Sequence, residues 1–113
     1  MIKFTDWSGN IQTLKVQTVK YAEGDQLAVV LLDMDDDESM YSVVTRNLPE
    51  YHALLGPNQT FIPLNADEHK LTEALVEEGV LLPTDIVLPY NFHTVQVFDI
   101  CMDRVDEVVT NED

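Results

Sequence analysis

The chain has 113 residues, 45% of them apolar and 8% aromatic, which is the composition of one globular domain able to bury a core without disulfides or metal. Twenty-one Asp and Glu against six Lys and Arg leave a net charge of −15, a sign that excludes nucleic acid and anionic membrane as direct partners and leaves a basic protein, a cation or water. One cysteine, Cys101, excludes an internal disulfide framework and fits a reducing compartment. Residues 1–7 lack the apolar core of a signal peptide, and no apolar run approaches the roughly 20 residues that span a bilayer, so a cytoplasmic location is expected.

The first half reads as a meander of strands. Residues 2–7 form a short strand that ends at Ser8-Gly9-Asn10, a tight-turn sequence. Residues 11–22 alternate, with Leu14, Val16 and Thr18 opposing Lys15, Gln17 and Val19, as a strand with one wet face does. A turn at Glu23–Gln26 leads to Leu27-Ala-Val-Val-Leu-Leu32, which has no polar face and belongs at the centre of a sheet, buried on both sides. The acidic segment Asp33–Glu38 is a hairpin tip, and the mixed run Met40–Thr45 lies nearer an edge.

After Pro49 the pattern changes. Gly56-Pro57-Asn58 breaks the chain, so residues 50–60 read as a loop with one helical turn around Tyr51 to Leu55. Phe61–Leu64 is a short extended piece that Pro63 confines to an edge. Residues 66–78 form the principal helix: Asn65 is its N-cap, Glu68 closes a capping box, Leu71, Ala74 and Leu75 make its apolar stripe, and Gly79-Val80 supplies a Schellman-type stop. Pro83 and Pro89 predict an irregular, partly extended crossing over residues 81–91. Residues 94–101 are the last strong strand, and the acidic tail from about residue 104 is expected to fray. The fold class is therefore α+β, an antiparallel sheet of five to six strands with one helix on one face.

Tyr21-x-x-Gly24-x-x-Leu27-Ala28, Tyr41, Asn47-Leu48-Pro49, Phe61, Asn65 before a helix ending in Gly79, and Tyr90 before a final strand together resemble a small bacterial family known only as a domain of unknown function. Its members occur in Gram-positive bacteria, often on mobile elements. The resemblance spans roughly residues 15–101. It implies a sheet-plus-helix domain and a bacterial cytoplasmic home, and it transfers no catalytic or binding residue.

Four groups of residues could carry chemistry. Asp33, Asp35 and Asp37 alternate as the start of a calcium loop does, but such a loop needs Gly at 38 and Glu at 44 where this chain has Glu38 and Val44; the plainer reading is a solvated tip that discourages edge pairing. Asp85, Tyr90 and His93 could form a small-molecule pocket with Asp85 orienting His93 as a general base, against the plainer reading of an aromatic plug at the end of the core. His52, His69 and His93 have no zinc-ligand spacing, and Cys101 within a strand packs as a small hydrophobe. No phosphate loop, nucleophile elbow or CxxC occurs, so no enzyme, cofactor or metal is expected. The last group is the acidity itself, Asp33, Asp35, Asp36, Asp37 and Glu38 on the hairpin with Glu73, Glu77 and Glu78 on the helix. If the fold gathers these, the surface imitates the phosphates of a nucleic acid and attracts the basic groove of a protein that binds one; ordinary solubility is the plainer reading. A strand edge at Phe61–Leu64 or Met40–Thr45 could also pair two copies.

Overall fold

Strong alternation in the first half of the chain closes it into a four-strand meander. In the computed structural model, which describes residues 1–64, 66–90 and 92–109, β1 (Ile2–Thr5), β2 (Ile11–Lys20), β3 (Leu27–Asp33) and β4 (Ser39–Val43) lie side by side in that order, each antiparallel to the next. Register sets the faces. Val16 opposes Leu31 and Thr18 opposes Val29, so these four residues and Leu14 line one buried face. Ala28 and Val30 are buried on the other face of β3, as its unbroken apolar run requires. The β3–β4 ladder slips between Leu31 and Leu32, which leaves Tyr41 as the extra residue of a bulge. Bulges re-aim side chains, and Tyr41 here packs against the main core.

Beyond β4, the backbone N–H of Arg46 donates to the carbonyl of Phe61 at 2.9 Å and carries the chain to a second sheet. A 3₁₀ turn at Pro49–Leu54 precedes β5 (Gln59–Pro63); then come α1 (Ala66–Glu77), β6 (Leu81–Tyr90) and β7 (His93–Ile100), paired in the order β5-β7-β6. β7 is central because both its faces are apolar. Phe98 and Ile100 join Leu14, Val16, Leu31, Ile62, Leu71 and Leu75 in the main core, while Val95 and Val97 join Phe61 and Leu48 in a second cluster under the loop. The helix stops as the sequence predicts: Gly79 has φ +76°, Val80 N–H donates to Leu75 C=O at 2.9 Å and Gly79 N–H to Val76 C=O at 3.0 Å, the paired bonds of a Schellman motif. Asn65 and the side chain of Glu68, the expected cap and capping partner, lie outside the described residues.

The α+β architecture, a meander sheet with one main helix, matches the reading of the sequence. Among the described residues the strands number eight in two sheets, where five to six in one sheet are expected, and two segments differ in detail. Residues 81–90 are a strand and not an irregular crossing. β6 is an edge strand, where prolines cost no ladder bond, and the irregularity is concentrated in a bulge between Pro83 and Val87. Thr84 and Gln96 compensate there, with Thr84 Oγ1 donating to Val97 C=O and Gln96 Nε2 donating to Thr84 C=O, both at 2.7 Å. Where fraying is predicted, a 3₁₀ turn (Met102–Arg104) leads to β8 (Glu107–Val109), parallel to β2 at residues 17–19. β1 pairs only with residues 11–14 of the longer β2, so the same edge has room for β8 further along. Asp106 fastens the join, its backbone N–H donating to Val16 C=O and its Oδ2 accepting from Val16 N–H, both at 2.8 Å. Residues 110–113 lie outside the described residues.

Candidate aromatic and acidic groove

The turn from β1 to β2 is held by one carboxylate. Asp6 Oδ1 accepts from Ser8 N–H at 2.9 Å, Ser8 Oγ at 2.7 Å and Asn10 N–H at 3.0 Å, while Asp6 N–H donates to Asn10 C=O at 2.9 Å. The hydroxyl of Ser8 first, and then the backbone donors of Asn10 and Ser8, hold the Asp6 carboxyl below its ordinary value, because each bond favours the ionised form. Trp7 rides on this turn with 96% of its surface exposed. Large aromatic side chains usually bury most of their area, so a bare indole on a pinned turn is an unusual presentation.

Trp7 borders a groove of about 310 Å³ lined with Phe4, Asp6, Tyr41, Ser42, Lys70 and Leu71. Phe4 and Tyr41 meet edge to face, centroids 6.4 Å apart at 68°, the preferred arrangement for two rings. The bulge in β4 makes this meeting possible. Burial first, and then the negative charges of Asp6 and Asp33, raise the Tyr41 phenol above its ordinary value; the field of these two carboxylates reaches the phenol.

That field comes in part from the adjoining hairpin tip. Asp33 Oδ1 accepts from Asp35 N–H at 2.9 Å and caps a 3₁₀ turn at Met34–Asp36. Asp36 Oδ2 accepts from Ser39 Oγ at 2.8 Å. Asp35, Asp36 and Asp37 are exposed. Glu38 instead pairs with Lys15 at 3.0 Å, and the same ammonium reaches Glu107 at 3.3 Å. Lys15, only 19% exposed, is raised above its ordinary value by Glu38 and then Glu107. The bonds from Gln17 and then Lys15 lower Glu107 in turn. Two of the three acidic regions, the hairpin and the chain after β7, thus meet over β2.

The third acidic region is separate. Glu73 and Glu77 line a different groove, of about 490 Å³, between α1 and the second sheet with Leu64, Thr72, Pro83 and Phe98. His69 pairs with Glu73 at 2.8 Å, and Glu78 is exposed beside Glu77 at the helix end. Among the described residues, no three His, Cys, Asp or Glu side chains are grouped so as to hold a metal ion; of the alternating aspartates of the hairpin, Asp33 is engaged as the cap of the 3₁₀ turn.

The structure does not bring Asp85, Tyr90 and His93 together. Tyr90 and His93 are paired at the tip of the β6–β7 hairpin, whereas Asp85 sits in the bulge between Pro83 and Val87, opposite the stretch from Gln96 to Phe98. That is about four residues, or roughly 13 Å, along β7 from His93. Asp85 and His93 are exposed, and Tyr90 packs on the second cluster, so the cluster is a partial plug and lacks the reach for a general-base pair. Asn91, beside it, lies outside the described residues. Of the two edges considered for pairing copies, Phe61 and Ile62 are buried and Phe61 is bridged by Arg46; β4 is an outer strand with Met40 68% exposed.

Sequence reasoning missed Phe4, Asp6 and Trp7. The signal available was an Asp–Trp–Ser–Gly–Asn turn, in which Asp6 is placed to close on the N–H groups two and four residues later; the participation of Tyr41 depends on a bulge that no local pattern announces. No family model, curated protein or solved structure matches the chain. No helix among the described residues is long and apolar enough to cross a membrane.

Proposed function

We propose that this is a non-enzymatic, cytoplasmic interaction protein whose acidic hairpin and neighbouring groove engage a basic segment of a protein partner. The observation that carries the reading is the placement of Asp6, Tyr41 and an exposed indole around one groove, with three exposed aspartates on the hairpin that leads to Tyr41. Exposed carboxylates next to a concave, partly aromatic surface both steer a cationic partner and give it somewhere to dock. A partner with a groove made for nucleic-acid phosphates would find carboxylates in their place, and binding would be competitive with its nucleic acid.

The test is titration of the protein with an oligolysine peptide at 50 and 500 mM salt, repeated with Asp35, Asp36 and Asp37 changed together to Asn. Affinity should fall steeply with salt, because screening shortens to about 4 Å at the higher concentration, and the triple variant should bind more weakly with a shallower salt dependence. Affinity that survives 500 mM salt unchanged would refute the reading.

A further inference from the structure

We propose that the groove beside Trp7 anchors a single alkylammonium group, the side chain of a lysine presented by the basic partner; this rests on the basic-partner reading above. The occupant follows from what borders the groove. Phe4, Trp7 and Tyr41 are three of its seven lining residues, and aromatic faces attract cations within about 6 Å through their quadrupoles. Its volume of about 310 Å³ suits one long side chain and not a folded segment.

The acceptors select ammonium over guanidinium. Asp6 Oδ1 is already taken by three donors, so the carboxylate cannot receive the two parallel bonds of an arginine fork. Among the described residues, Asp6 Oδ2 has only a long contact from Gln12 Nε2, at 3.4 Å, and Gln12 Oε1, the other end of that amide, is buried without a donor. An ammonium carries three donors in a compact head and can meet a single carboxylate oxygen while its methylenes lie on the rings. The turn bonds hold the Asp6 carboxylate in place beforehand, which reduces the ordering cost of binding. Lys70 is the one cation among the residues lining the groove, and its like charge opposes the ligand, which makes the sign of the site testable.

The probe is n-butylammonium, with n-butanol and methylguanidinium as controls, followed by Trp7 fluorescence and amide chemical shifts. Butylammonium should bind saturably and more tightly than either control, shifting Phe4, Trp7 and Tyr41. Trp7→Ala should weaken it about 2- to 5-fold, the range of an exposed cation–π contact. Asp6→Asn should weaken it too, and Lys70→Gln should tighten it. Trp7 is so exposed that its variant keeps the fold, so the test does not hinge on stability. Equal binding of butanol, tighter binding of methylguanidinium, indifference to Trp7→Ala, or weakening by Lys70→Gln would each overturn the assignment. Salt-sensitive oligolysine binding that ignores Trp7→Ala overturns the anchor and leaves the basic-partner reading standing. Butylammonium binding without oligolysine binding overturns that reading and, with it, a protein as the source of the ammonium.

Discussion

Thr18 offers a direct test of how the main core is assembled. Its side chain is fully buried on the inner face of β2 opposite Val29, and its Oγ1 has no hydrogen-bond partner among the described residues. An unpaired hydroxyl in an apolar setting costs about 1–3 kcal/mol. Thr18→Val replaces it with a methyl group of nearly the same shape, keeps a β-branched residue in the strand, and adds apolar burial on a scale of about 0.8 kcal/mol per carbon. The variant should be more stable by about 1–3 kcal/mol. For a domain of about 100 residues each kcal/mol raises Tm by roughly 4 °C, so calorimetry should show a rise of about 4–12 °C, with an equivalent shift of the urea midpoint and an unchanged slope. A loss of stability would mean that the hydroxyl is satisfied in solution and that the face formed by Leu14, Val16 and Thr18 is packed differently from this description.

Other outcomes follow from single contacts. Gln26, 2% exposed, bonds both polar groups of Leu48, its Nε2 donating to the carbonyl at 2.7 Å and its Oε1 accepting from the N–H at 3.0 Å; Gln26→Leu should cost about 2–4 kcal/mol in urea unfolding. The Asp6 carboxyl is lowered in the folded chain, so its contribution is present above the unfolded value of about 3.9 and is lost as pH falls below it. Trp7 emission should therefore change in acid, and Asp6→Asn should flatten that step. Lys15 is raised, so its hold on Glu38 and Glu107 is complete below the ordinary lysine value and is lost as pH rises past that value and through the raised one, which amide exchange at residues 107–109 would report. Tyr41 should titrate above the ordinary tyrosine value of about 10 in ultraviolet absorbance and move down in Asp6→Asn, since Asp6 supplies part of the negative field.

Much of the architecture is legible because periodicity and burial agree. The uninterrupted apolar run from Leu27 to Leu32 announces a strand covered on both sides, the alternation of Leu14, Val16 and Thr18 announces a one-sided one, and Gly79-Val80 marks the helix stop. β6 was hidden because Pro83 and Pro89 read as breakers, and only the knowledge that the strand is an edge removes that objection. β8 is three residues long and depends on an opening on β2 some ninety positions away, which local pattern does not contain. The groove was hidden for the same reason. Phe4, Trp7 and Tyr41 come from two hairpins, and their approach is decided by sheet order and by one bulge. Asp85 and His93, by contrast, are near in sequence and far along the ladder.

Amide chemical-shift mapping with oligolysine at low salt tests the central claim most directly. The largest shifts should fall on residues 4–10 and 33–42, around Asp6, Trp7, Tyr41 and the hairpin aspartates, and should collapse together as salt is added. Shifts spread evenly over the carboxylates, or centred on Asp85, Tyr90 and His93, would contradict it.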